Sequence, residues 1–95
     1  MPTQQPTIET TIEARLRMLP RYRLLLHNDD FNDMEHVVRS LLYTIMSLTI
    51  NQAMAIMLEA HNSGTAHVIS CPRETAEFYA ETLKQFGLAS TVEPE

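Results

Sequence analysis

Residues 21–38 read RYRLLLHNDDFNDMEHVV, and the way this stretch divides decides the fold. Arg21–His27 alternates at first and ends in a leucine run, the pattern of a strand with one well-buried face. Asn28, Asp29 and Asp30 stop it, because their short polar side chains bond nearby backbone and compete with a strand ladder. A helix start follows. Asn32 fits the N-cap, Glu35 stands three residues on at the capping-box spacing, and Asp33 suits the positive end of the helix dipole. Met34, Val37, Val38, Leu41, Leu42 and Ile45 then recur at helical spacing and give the helix one apolar face.

Downstream, a break at Ser47-Leu48 precedes a second helix. Thr49 and Gln52 form another capping box with Leu48 as the staple, and Gly64 is the natural stop. The inner stripe of this helix is predicted as Ile50, Ala53, Met54, Met57, Leu58 and His61. Thr65–Cys71 reads as a second strand. Pro72 opens a third helix that runs to Phe86 and turns Ala76, Tyr79, Ala80 and Leu83 inward. Gly87 ends it, and Leu88–Glu93 makes a short last strand. The order β-α-α-β-α-β implies an α+β two-layer sandwich: a three-stranded antiparallel sheet with three helices on one face. Upstream, residues 1–20 carry Pro2, Pro6 and Pro20 among Thr, Gln and Glu, which reads as a flexible extension with a helical turn around Ile12–Met18. The folded domain is expected over residues 21–95.

Composition removes several classes of function. The 95 residues carry a net charge of −5, and Lys84 is the sole lysine among scattered arginines, so no basic footprint for nucleic acid or a membrane surface exists. The single cysteine, Cys71, excludes an intramolecular disulfide and a multi-cysteine zinc site, and it reads as a small apolar filler. Two glycines cannot build a phosphate loop, and no nucleophile-elbow pattern is present. The acidic and histidine residues His27, Asp29, Asp30, Asp33, His36 and His61 match neither a calcium loop nor a zinc helix. The N-terminus lacks an apolar signal region and no stretch is long enough to span a bilayer, so the expected setting is the cytoplasm. No catalytic residue, cofactor or metal is expected.

Two motifs carry more information. The first is HNDDFNDMEHVV at 27–38, and the second is MLEAHNSG at 57–64. In this order, at this separation and on this element pattern, they resemble ClpS adaptors over about residues 20–93. Residue by residue, the resemblance implies that Asn28, Asp29 and His61 hold the α-amino group of a protein whose first residue is Leu, Phe, Tyr or Trp. It implies that Met34, Val37, Met57, Ala60 and Leu88 line a pocket for that first side chain, with Asp30 and Asn32 at its rim. Asp30 is expected to brace the turn. Met34 is expected to gate the pocket against side chains branched at Cβ. Such adaptors deliver their cargo to the N-terminal domain of a Clp ATPase of ClpC or ClpA type. Docking then falls on the third helix, at Glu74, Glu77 and Tyr79, and the flexible extension also engages the ATPase. A monomer is expected.

Three departures mark this chain. Ala60 stands where a larger aliphatic is common, Asp33 replaces a frequent proline, and Tyr79 replaces a lysine. The rival reading is an interaction module like the C-terminal domain of the ribosomal stalk protein, which shares the general topology. That domain lacks both motifs and has a lysine-rich interaction helix, and one lysine speaks against it.

Overall fold

In the computed structural model, which describes residues 8–95, β1 spans Arg21–His27 and forms the centre of a three-stranded sheet. It pairs antiparallel with β2 (Thr65–Pro72) on one side and β3 (Ala89–Pro94) on the other. Three helices, α2 (Met34–Thr44), α3 (Ile50–Ser63) and α4 (Arg73–Gln85), cover one face. The expected two-layer α+β sandwich is therefore the observed one, preceded by a further helix, α1 (Ile8–Met18). The first part of the expected extension, residues 1–7, lies outside the described residues. Residues 11–18 of α1 are all exposed, and the molecule is elongated, 61 × 25 × 22 Å.

The core follows from the alternation in β1. Leu24 and Leu26 point inward and are 0% and 2% exposed, and they meet Leu41, Ile45, Ala53, Ile56, Val68 and Leu83 from the other elements. Burying a leucine this completely contributes about 1.5–3 kcal/mol. β2 slips register between Leu24 and Leu25 of its partner, so the inward set runs Ala66, Val68 and then Cys71. Such a bulge re-aims the side chains that follow it. Cys71 is the small apolar filler expected, and burial pushes its thiol above the ordinary 9.0 against the pull of Arg21.

Several local expectations shift. The cap of α2 is Asp33, whose carboxylate accepts from the His36 N–H at 2.7 Å. Asn32 is not the cap because its side chain is occupied elsewhere, and Glu35 pairs with Arg39 instead of closing a capping box. The capping box of Thr49 and Gln52 forms as expected. Along α3, however, the buried set is Ala53, Ile56, Met57 and Ala60, while Ile50, Met54 and Leu58 are exposed by 63%, 44% and 43%. The sequence of α3 is apolar on most of its circumference, so periodicity alone cannot choose the face. Pro72 closes β2 and caps α4. Leu88 precedes β3 and is buried.

Candidate functional site

The His27 end of β1 opens into a polar turn held from three directions. Within the turn, Asp29 accepts from the Phe31 and Asn32 backbone N–H groups at 2.9 and 2.7 Å through one oxygen, and from the Asn32 amide at 2.9 Å through the other. From α3, the Gly64 carbonyl accepts from the Asn28 N–H at 3.0 Å. From the α4–β3 connection, the Gly87 carbonyl accepts from the Asn32 amide at 2.9 Å, and the Phe86 carbonyl accepts from His36 Nε2 at 2.7 Å. Gly87 has φ +82°, a backbone region in which a Cβ is strained, so the sharp turn that presents these carbonyls depends on glycine.

These restraints enclose a cavity of about 390 Å3. Met34, Val37, Met57, Ala60 and Leu88 supply its apolar wall, together with Leu26. Asn28, Asp29, Asp30, Asn32 and His61 stand around it, so every residue expected at the pocket is brought to it. Leu26, His27 and Asp33 also line it. Leu26 was legible from strand alternation and Asp33 from its place beside the cap, but His27 carried no separate signal. The His27 ring bridges the sheet, with one nitrogen 3.2 Å from Thr65 Oγ1 and the other 2.7 Å from Thr91 Oγ1.

The two aspartates differ from their expected division of labour. Asp29 is the residue that braces the turn, since both of its oxygens accept from the turn itself. Its carboxyl is held below the ordinary 3.8, chiefly by the Asn32 amide, with burial opposing and the two backbone N–H groups and His36 adding to the effect. Asp30 is exposed and stands at the cavity. The bonds on Asp29 run along the turn, which fixes the carboxylate in place and leaves one lone pair, on Oδ2, without a bond from the turn. Asn32 spends its amide on Asp29 and Gly87. His61 is exposed in the last turn of α3, not on the buried stripe.

The chemistry of this arrangement is plain. Carboxylates of Asp29, Asp30 and Asp33 surround the cavity and no Lys or Arg lines it, so a cation is favoured at its edge. The wall is apolar and preformed, as small-ligand sites usually are. Among the described residues no group of His, Cys, Asp and Glu is arranged to hold a metal ion.

The family model described as "ATP-dependent Clp protease adaptor protein ClpS" matches residues 17–91. The chain belongs to the ClpS family. A relative from Synechococcus elongatus, the ATP-dependent Clp protease adapter protein ClpS, is 56% identical over 92% of this chain and 90% of its own. The chloroplastic adapter protein CLPS1 of Chlamydomonas reinhardtii is 44% identical over 97% of this chain and 56% of its own. Among solved structures, Agrobacterium tumefaciens ClpS2 bound to L-phenylalaninamide superposes with a TM-score of 0.75 at 30% identity, over 80% of this chain and 98% of that one. ClpS proteins are named as adapters of the Clp protease, and adapter function is the function of this chain. No described helix is long and apolar enough to cross a membrane.

The residues expected to dock the ATPase lie elsewhere. Glu74 and Glu77 are exposed in the first turns of α4 and line a groove with Leu16, Leu19, Tyr22 and Arg73. Glu77 accepts from Arg73 Nε at 2.8 Å. Tyr79 is half-buried against the core, so it belongs with the packing of α4 more than with its outer face.

Proposed function

We propose that this ClpS-family chain binds the free N-terminal residue of N-degron substrates, preferring Leu, Phe, Tyr or Trp, and hands them to a Clp ATPase for degradation by ClpP. The observation that carries the reading is the pairing of an apolar cavity with an acidic, amide-lined edge. A first side chain fills the cavity while its α-ammonium rests among Asn28, Asp29 and His61, with Asp30 adding negative charge. Asn32 acts from the rim by fixing Asp29. A buried cation without such acceptors would be costly. Support also comes from the Agrobacterium ClpS2 structure, whose ligand, L-phenylalaninamide, is an aromatic side chain with a free amine.

Met34 stands at the rim, 44% exposed, where its thioether crowds a ligand branched at Cβ. It serves as the gate that rejects Ile and Val. The ATPase, of ClpC or ClpA type, docks on Glu74 and Glu77, and the segment that holds α1 engages it as well. The adaptor works as a cytoplasmic monomer over the core domain 21–95, without catalysis of its own.

The test compares phenylalaninamide with its N-acetylated form by isothermal titration calorimetry. Acetylation deletes the cation and leaves the acceptors desolvated without a partner, a loss of about 2–5 kcal/mol. Equal affinity for the two compounds would remove the N-terminal reading.

A further inference from the structure

The rim of the cavity carries an oxidisable group. Met34 lines the cavity on one side and a groove with Glu35, Val38 and Arg39 on the other, and it is 44% exposed. Met57, the other methionine of the cavity wall, is only 8% exposed. Met18 and Met46 are exposed by 85% and 92%, but neither lines the cavity. The single thiol offers little competition for a mild oxidant. Cys71 is buried, and burial pushes its thiol up, which keeps the reactive thiolate scarce.

We propose that Met34 is a reversible oxidation site, through which hydrogen peroxide turns off recognition of the first residue. The inference rests on the cavity being the seat of that residue. The thioether sulfur of Met34 attacks one peroxide oxygen, so an S–O bond forms and the O–O bond breaks. The proton of the transferred oxygen passes to the departing hydroxide, which leaves as water; the thioether is oxidised to a sulfoxide and the peroxide is reduced. A flexible apolar side chain becomes a polar one. What the new oxygen meets decides the consequence. It is an acceptor, and the charged groups around the cavity, Asp29, Asp30 and Asp33, are acceptors as well. The Asn32 amide already donates to Asp29 and Gly87, and Asn28 and His61 attend the ligand amine in the proposed complex. On the groove side, Arg39 is held by Glu35 at 2.6 Å. Water is therefore the partner of the sulfoxide, and a first side chain entering the cavity strips that water away. Burying a polar group without a replacement bond is costly. A thiol-dependent sulfoxide reductase reverses the change: two thiols become a disulfide, the oxygen leaves as water, and the thioether returns.

The experiment treats the full chain with hydrogen peroxide, follows each methionine by peptide mass spectrometry, and measures phenylalaninamide affinity by calorimetry. Oxidation of Met34 is expected to weaken binding about tenfold, in step with the fraction of Met34 that carries the extra oxygen. Incubation with sulfoxide reductase and dithiothreitol should restore it. Bound phenylalaninamide should slow the oxidation of Met34 and leave that of Met46 unchanged. Met34→Leu, whatever its starting affinity, should lose none of it to peroxide, whereas Met46→Leu should stay as sensitive as wild type. Unchanged affinity with Met34 fully oxidised would overturn the proposal while leaving the first-residue reading intact, as would a peroxide loss that persists in Met34→Leu. Loss of helix in circular dichroism alongside the loss of binding would overturn it too, by placing the effect in the fold. Failure of the untreated wild type to bind phenylalaninamide would overturn both readings.

Discussion

The two ends of β1 differ in how their functional groups are held. At the His27 end, side chains from the turn and α2 reach carbonyls far along the chain: Asn32 to Gly87 and His36 to Phe86, with Asn28 held by Gly64. At the Arg21 end Arg23 pairs with Glu93 and the Arg21 carbonyl accepts from the Glu95 N–H across the sheet, while the charged side chains at the start of α4 pair within the helix. Arg73 pairs with Glu77 one turn on and leans over the Tyr22 ring at 5.9 Å, and residues 11–18 of α1 are exposed. Long-range restraint presets a small cavity, so a ligand meets a site whose ordering cost has already been met in folding. An exposed helix start with local ion pairs is an adaptable surface, suited to a protein partner. The division matches the two tasks proposed for this adaptor, one recognising an amino-acid residue and the other recognising a domain.

Because β1 joins both ends, the largest effect should come from its middle. Leu24 is 0% exposed, and Leu24→Ala should destabilise the domain by about 2–5 kcal/mol, lowering ligand binding and ATPase docking together. Urea unfolding monitored by circular dichroism measures it. Loss of one activity with the other and the fold unchanged would break the picture of a shared central strand.

A smaller effect, confined to the His27 end, is expected at Gly87. Gly87→Ala leaves room for the new Cβ, whose nearest neighbour atom, Asn32 Oδ1, is 3.8 Å away, so the cost is that of the positive φ alone, about 1–2 kcal/mol. Phenylalaninamide affinity should fall with stability as the carbonyls that hold Asn32 and His36 shift. Docking to the ATPase should be retained in pull-down once the variant is folded. Gly64→Ala, at φ +87° with open space around it, should act in the same direction, because its carbonyl accepts from the Asn28 N–H.

Asp29 sharpens the comparison through pH. Its folded-state value lies below 3.8, so its contribution to stability is present above pH 3.8 and lost as pH falls through the folded value. Asn32→Ala removes the first cause of that depression, and the Asp29 carboxyl resonance followed by NMR should titrate higher, closer to 3.8. An unchanged titration would mean that the Asn32 bond does not hold the carboxylate in solution.

The smallest effect on the fold belongs to the other end. Glu77→Ala removes an exposed partner of Arg73 and should leave the urea midpoint and phenylalaninamide affinity unchanged, because exposed pairs contribute little. Binding to the Clp ATPase should weaken. If peptide binding weakens instead, the two ends are not separate surfaces.

Local patterns in the sequence were enough to determine the element order from β1 onward, the span of β1 and the capping box at Thr49, but they gave only a turn where α1 runs over Ile8–Met18. Alternation, caps and breakers act between neighbours along the chain, so they are written where they act. The resemblance carried by the motifs at 27–38 and 57–64, and not the local pattern, named residues that line the cavity. Tertiary structure alone decided which face of α3 is buried, because that helix is apolar nearly all round and only contact with the sheet selects Ala53, Ile56, Met57 and Ala60. It also decided that Asp33 caps α2 while Asn32 turns away to a carbonyl 55 residues on, and that Asp29 braces the turn. In each case the choice was between groups equally able to bond locally, and the winner was set by an acceptor or an apolar surface that folding brings from elsewhere in the chain.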